Sequence, residues 1–521
     1  MKKFGKSILF PLFSVFVLLF PSCYGDKGNY DYVELNDINI VFDDAITTLI
    51  RDSLKIDPQI TGRNGYDKGK YTYEWSVYSA TDEQEPVVIG TLPQLAYYVS
   101  LQPGKYKLVF TVQEKDAEIF YRKISDLEVK TTTTLGWLVL CSEEGRVRLD
   151  MISHITGETY RDLLKETKLE NWQEPRQLLY DSYMVEPFYL VSGSGTTRLS
   201  SNEFQWQESY LIENEFAGGR FDKSVSYIDA HYPGKMVIDE DGRSYYCDNT
   251  MGDGLFGSSR KNLYGYKKSP AIGLNRLETQ NLPLFMLWDP VYREFVVCTD
   301  QFQSLNLDSS FDYPMSALSA YGFPITNDDL FEWPVYQDQM QLVCMENTLY
   351  DKNQSGRGAT YAILSKGDSR YLYGIILGNL VCLIDDVDKY GVAYEKIYYV
   401  DLSLCPDIAQ ASHFAFSSLK TYMYYSVGGK VYAVNFAAST PSSELQFDLG
   451  EEEITLLKFY LFEGQDVDNR SYDLIVGSER PSGEGVLRIY DGFDSEGSFL
   501  NAEPEEMETG FARIVDVIYR E

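Results

Sequence analysis

From about Leu135 onward the sequence repeats one device: a run of β-branched and aromatic residues, a Gly/Asp/Asn turn, and a second such run. GWLVLCSEEGRVRLDMI (136–152), KMVIDEDGRSYYC (235–247), YLYGIILGNLVCLI (371–384), TYMYYSVGGKVYAVNF (421–436) and DLIVGSERPSGEGVLRIYDGF (473–493) each read as a β-hairpin. Such hairpins recur roughly every fifty residues, the period of a β-propeller blade. Starts near Gly136, Phe188, Lys235, Arg293, Gln341, Thr421 and Tyr472 give seven blades. The hairpin at Tyr371 falls in the fifth or sixth blade, which makes eight the alternative. The last strand, FARIVDVIYRE, alternates Phe511/Arg513/Val515/Val517 against Ala512/Ile514/Asp516/Ile518. It is expected to complete the first blade, which closes the ring and removes a free sheet edge. The competing architecture is an open array of β-sandwiches, against which stands the lack of linkers between hairpins.

At 521 residues the chain exceeds one ordinary core, so two or more domains are expected. Its 46 basic and 78 acidic residues leave a net charge of −32, a field that repels nucleic acid and anionic lipid headgroups. The N-terminus reads as a secretory signal: Lys2, Lys3 and Lys6 precede an apolar run from Ile8 to Phe20, too short for the ~20 residues that span a bilayer. Cys23 follows in LLFPSCYGD, which resembles the lipobox of bacterial lipoproteins. Ser22 supplies the small residue before the cut, while Phe20 stands where the third place upstream usually holds Leu. Cys23 is thus the expected lipidation site, and a lipid anchor in the outer membrane, facing the cell surface, is the expected address.

The resulting division is a signal peptide at 1–22, a polar tether at 23–32, a β-sandwich of Ig-like size at 33–130, a threonine-rich linker at 131–135 and the propeller-like region at 136–521. In YTYEWSVY, Tyr71, Tyr73, Trp75 and Val77 share one face and Trp75 is placed in the core. After the Pro103-Gly104 turn, Tyr106, Leu108, Phe110 and Val112 alternate inward, and this Pro-Gly-x-Tyr sequence resembles a tyrosine corner. One helix is expected, over GETYRDLLKETKLENW (157–172), from the spacing of Tyr160, Leu163, Leu164 and Leu169 with Pro175 as its stop. The opening CYGDKGNYDY, the YTYEWSVY and PGKYKLVFTV strands, and GWLVL at the head of a long β-rich region together resemble the PKD-like lipoproteins of Bacteroidetes. That resemblance implies a periplasmic or cell-surface lipoprotein, of a kind often encoded beside SusC/SusD-type nutrient uptake systems, and it carries no catalytic residues. After the Trp this chain has SVYSATDE where a standard PKD domain has an acidic, glycine-containing run.

Chemistry is sparse. Three histidines (His154, His231, His413) and no CxxC pair argue against zinc. DEDG (239–242) and DDVD (385–388) offer calcium-type oxygens but lack an EF-hand's glutamate, and Asp with Gly is also what a tight turn requires. Neither GSGTT nor RGAT forms a nucleophile elbow, and GDGLFGSSR lacks the Lys-Ser/Thr end of a phosphate loop. No cofactor, metal or catalytic residue is expected. What remains is binding of a glycan or peptide by loop aromatics, with Trp206, Tyr321 and Trp333 as candidates. The reading is a non-catalytic accessory protein of a SusC/SusD-type system. The alternatives are a purely structural subunit of an outer-membrane complex, or a propeller glycan hydrolase or lyase.

Overall fold

The computed structural model describes residues 36–520, apart from 80–85, 182–186, 249–254, 257–268, 276–283, 300–315, 351–357, 383–389, 462–472, 492–502 and a few shorter stretches. Two compact units divide the chain, Met1–Val99 with Lys105–Glu128, and Ser100–Gly104 with Val129–Glu521. Both are all-β.

The first unit contains β1 (Ile38–Val41), β2 (Ala45–Leu49), β3 (Ser53–Ile56), β4 (Gln59–Gly62), β5 (Tyr71–Ser79), β6 (Val87–Gly90), β7 (Leu95–Tyr98), β8 (Gly104–Glu114) and β9 (Phe120–Lys130). One sheet has the order β2-β9-β8-β5-β6, and the pairs β1–β4 and β3–β7 complete the sandwich. Period-2 alternation puts Trp75 opposite Phe110 across the β5–β8 ladder, and their rings stack with centroids 4.0 Å apart. The Phe42 ring lies 5.3 and 6.4 Å from theirs, Leu54, Leu95 and Leu108 are buried in the same unit, and the Trp75 indole N–H donates to the Leu92 carbonyl at 3.0 Å. The residues expected inward on β5 and β8 are buried or half-buried, while Ser76 and Val109 of the opposite face are buried too.

The second unit is a ring of hairpin sheets. Blade 1 begins with β10 (Gly136–Glu143), β11 (Arg146–Ser153) and β12 (Thr159–Tyr160), and blade 2 is β13 (Pro175–Tyr180), β14 (Phe188–Ser192) and β15 (Gly195–Leu199). Blade 3 is β16 (Val225–His231), β17 (Gly234–Asp239) and β18 (Ser244–Asp248). Blade 4 is β19 (Gly273–Asn275), β20 (Leu284–Asp289), β21 (Glu294–Thr299) and β22 (Ser316–Ala317). Blade 5 carries a parallel outer strand β23 (Gly322–Thr326) beside β24 (Gln341–Thr348), β25 (Ala359–Lys366), β26 (Ser369–Cys382) and β27 (Tyr390–Asp401). Blade 6 is β28 (His413–Phe416), β29 (Tyr422–Val427), β30 (Lys430–Asn435) and β31 (Ser443–Asp448). Blade 7 is β32 (Glu453–Phe459), β33 (Leu474–Glu479), β34 (Gly485–Tyr490) and β35 (Glu506–Phe511). The last strand, β36 (Arg513–Arg520), pairs antiparallel with β10 and becomes the innermost strand of blade 1.

Closure is visible in the packing. Each blade buries both faces, so its strands read as near-continuous apolar runs whose alternate residues serve two neighbours. Leu138 and Leu140 face blade 2 with Leu178, Phe188 and Leu190; Trp137, Val139 and Cys141 face blade 7 with Ile475, Leu487 and Ile489. Among the described residues, seven apolar seams join each blade to the next, and the seventh joins blade 7 back to blade 1. Gly136 shows how tightly the first hairpin closes. Its φ is +135°, and a Cβ there would lie 2.0 Å from the Ile152 carbonyl oxygen.

Three sequence expectations change. Among the described residues of 157–172 no helix forms. Thr159 and Tyr160 pair with Ile152 and Met151 as the outer strand of blade 1, and Asp162 takes a left-handed φ of 52° while its N–H donates to Asp150. Successive four-residue turns, each closed by an N–H donating to the carbonyl three residues back, then place Leu164 and Leu169 in the seam with blade 2, so burial there outweighs helical propensity. The described residues of the 371–384 run form no hairpin either. β26 runs straight through Gly378-Asn379, where the ladder with β27 bulges between Leu377 and Leu380. Gly378 is needed for close approach, since a Cβ would sit 3.0 Å from that of Ala393. The runs at Gln341 and Tyr371 therefore share blade 5. Arg293, finally, lies in the β20–β21 turn with φ 59°, and that hairpin begins at Leu284.

Candidate functional site

The inner strands β36, β13, β16, β19, β24, β28 and β32 surround a cavity of about 400 Å³ on the ring axis, and every one of them, or a residue next to it, contributes to its wall. An innermost strand is a sheet edge, with one row of N–H and C=O groups that lack a ladder partner. Side chains of the adjacent blade satisfy several of them. Asp516 of β36 accepts the Leu178 N–H of β13 at 2.8 Å across 338 residues of sequence. Gln177 of β13 donates to the Ile228 carbonyl at 2.8 Å and accepts the Ile228 N–H at 3.0 Å on β16. Arg176 donates to the Val225 carbonyl at 2.8 Å, Glu346 of β24 accepts the Phe416 N–H of β28 at 3.2 Å, and His413 of β28 hydrogen-bonds the backbone of Thr455 on β32.

The cavity wall mixes these polar groups with an apolar surface from Leu178, Met345, Phe414, Phe459 and Ile518. Its charges are unevenly matched. Lys458 pairs with Asp516 at 2.6 Å, and Asp516 also accepts the Val517 N–H at 2.9 Å. Glu346 has only the Phe416 N–H among the described residues. Burial pushes its carboxyl up to about 8, against a smaller downward pull from that N–H and from the Lys458 ammonium. Two residues away on the same strand, burial likewise pushes the Cys344 thiol up.

The sequence-picked aromatics lie elsewhere. Trp206 packs against the seam of blades 1 and 2, donates to Thr197 Oγ1 at 2.9 Å and carries the Lys168 ammonium 5.5 Å above its ring. Trp333 belongs to an internal aromatic cage. The Lys396 ammonium lies 4.9 Å from its ring and 4.8 Å from that of Phe331, and donates to the Asp328 and Phe331 carbonyls at 2.8 and 2.7 Å. Neither tryptophan lines the axial cavity. Tyr321 and Cys23 lie outside the described residues. Asp239 of the DEDG turn accepts the Asp241 and Arg243 N–H groups at 2.9 and 2.8 Å and the Tyr245 hydroxyl at 3.0 Å, while 385–388 lies outside the described residues. Among the described residues no three His, Cys, Asp or Glu side chains are grouped to hold a metal. No motif marks Glu346, Lys458 or Asp516. Their one sequence signal is a charge inside an apolar strand run, as in RIVDVIYR.

Residues 23–174 match the PKD-like family, a span that runs from Cys23 through the sandwich to the residue before β13. Similar solved structures include a quinonprotein alcohol dehydrogenase-like protein of Bacteroides thetaiotaomicron VPI-5482, at 11% identity over 93% of this chain and 99% of that one, TM-score 0.42. A structural genomics protein of unknown function from the same organism aligns at 10% identity over 86% and 96%, TM-score 0.31. The WD40 domain of SCAP from fission yeast aligns at 8% identity over 67% and 74%, TM-score 0.32. No curated protein matches the chain.

Proposed function

We propose that this chain is a lipid-anchored, non-catalytic binding component of a SusC/SusD-type nutrient uptake system, displayed at the outer membrane and held there through Cys23. The observation that carries the reading is the position of that cysteine. It stands directly after an apolar signal segment in LLFPSC, and the span similar to the PKD-like family begins at it. A binding rather than a catalytic role is supported by the axial cavity, whose Asp516 and Gln177 side chains are engaged with neighbouring backbone instead of being poised on a nucleophile. Two acyl chains on Cys23 anchor firmly, at about 0.8 kcal/mol per buried CH₂. Cys23→Ala therefore releases the protein from the outer-membrane fraction, and protease treatment of intact cells removes the propeller of the wild type. Retention of the variant in membranes, or full protection in intact cells, defeats the anchoring or the surface assignment respectively. Glycan and peptide pools titrated against the soluble chain test for a nutrient-derived ligand.

A second reading, a purely structural subunit, draws on the outward apolar residues Val87, Val88, Phe120 and Ile124 of the sandwich sheet. Co-purification with a SusC/SusD pair in the absence of any ligand favours it.

A further inference from the structure

We infer that the axial cavity of the propeller is a site for a small organic cation, a primary amine with an apolar body, and that Glu346 is its counter-charge. The inference builds on the reading of the propeller as a binding module and adds the class of ligand.

The argument is one of matching. Around the cavity Lys458 is paired with Asp516, and Asp516 takes two backbone N–H groups besides. Arg176 is held by the Val225 carbonyl and by Glu174 at 3.4 Å, Asp229 takes the Ala230 N–H at 2.9 Å and makes a further interaction besides, and both ends of the Gln177 amide are used on Ile228. Glu346 differs from all of them. It sits within an inner strand, opens onto the cavity, accepts a single N–H, and has no cation at ion-pair distance among the described residues. A ligand that supplies an ammonium there completes the hydrogen bonding of the carboxylate. An anionic ligand would have to break the Lys458–Asp516 pair and leave two carboxylates facing it. Leu178, Met345, Phe414, Phe459 and Ile518 suit an apolar body, and about 400 Å³ lies within the ~300–1,000 Å³ of small-ligand sites. The net charge of −32 enriches cations near the surface.

Binding is then coupled to a proton. The empty site holds Glu346 as a neutral acid at neutral pH, because burial raises its carboxyl. The ammonium ligand displaces that proton to solvent, so that R–NH₃⁺ faces a carboxylate and one H⁺ leaves per ligand bound. The titratable and charged groups that line the cavity with Glu346 are Arg176 and Tyr180, Tyr227 and Asp229, Lys458 and Tyr460, Asp516, and Cys344 on its own strand. Of these, burial drives the Cys344 thiol further from ionising.

The test is calorimetric titration of the full mature chain with phenethylamine, 2-phenylethanol and phenylacetate, three probes of one shape and different charge, between pH 6 and 9 in two buffers of different ionisation enthalpy. Phenethylamine alone binds. Its apparent affinity rises about tenfold per pH unit up to about 8 and then levels, with close to one proton released per ligand below that pH. Glu346→Gln, whose amide oxygen can still accept the Phe416 N–H, loses at least tenfold in affinity and all of the pH dependence. Glu346→Asp keeps the pH dependence at weaker affinity and serves if the glutamine variant does not fold. Equal binding of the alcohol, pH-independent binding of the amine, an unchanged Glu346→Gln, or no binding at millimolar amine each overturns the inference. None of those outcomes touches the anchoring experiment on Cys23, so the two readings fail separately.

Discussion

The two units bury different chemistry. Among the described residues, the sandwich core hides only Ser76 and Ser125 as polar side chains, whereas the propeller hides charges such as Asp150, Glu215, Lys235, Lys396, Arg488 and Asp516. The difference follows from geometry. Two sheets face to face need one apolar layer, and Trp75, Phe110 and Phe42 fill it. A ring presents an inner edge on every blade and bends loops back over its seams, and both leave backbone groups that only polar side chains can reach. In the seam of blades 2 and 3, for example, Lys235 donates to Glu215 at 2.7 Å and to the Tyr189 hydroxyl at 3.0 Å, with Arg198 on the other oxygen of Glu215 at 2.9 Å. Buried charge in this molecule thus marks closure.

The largest expected effect tests closure itself. Deleting residues 511–521 removes β36, opens β10 as an edge and exposes the cavity side of blade 1. The truncated protein should aggregate or lose cooperative unfolding of the propeller, and calorimetry that returns the full-length melting profile would reject ring closure. A matched pair of substitutions comes next. Trp75→Ala empties the sandwich core and should cost ~3–5 kcal/mol. Lys235→Met leaves Glu215 in the seam with Arg198 and the Tyr189 hydroxyl as its remaining partners and should cost a smaller ~1–3 kcal/mol. Each should lower one thermal transition and spare the other; a shift of both by either substitution would mean that the units do not unfold separately.

A smaller effect separates the units by pH. Unfolded, Glu346 ionises near 4.5; folded, it keeps its proton to about 8. Raising pH through that window therefore weakens the propeller, by up to ~1.4 kcal/mol per pH unit, and the slope vanishes in Glu346→Gln. The sandwich, whose buried polar residues are serines, should lack this term, which urea melts monitored at pH 5 and pH 8 can read directly. The smallest effect is Asp126→Asn. Its ion pair with Lys107 is exposed on the sheet surface, and loss of it should change stability by less than about 0.5 kcal/mol. A larger change would show that this face is more sheltered than its exposure indicates.

What the sequence alone determined is local. The all-β class, the hairpin period, the inward face of β5 and the terminal strand were legible because apolar alternation and turn residues act within a few positions of one another. The helix over 157–172 and the hairpin at 371–384 misled for the same reason. Leucine spacing and a Gly-Asn pair are local signals, and tertiary burial of Leu164 and the close approach of Ala393 to Gly378 outweighed them. Only the tertiary structure decided the site. Trp206 and Trp333 carried the visible binding chemistry, yet their rings are engaged by Lys168 and Lys396 within the propeller. Glu346, Lys458 and Asp516 stand in three strands of unremarkable composition, separated by 112 and 58 positions. They meet on the axis because the ring brings every inner edge to one line, and no pattern within a single strand encodes that convergence.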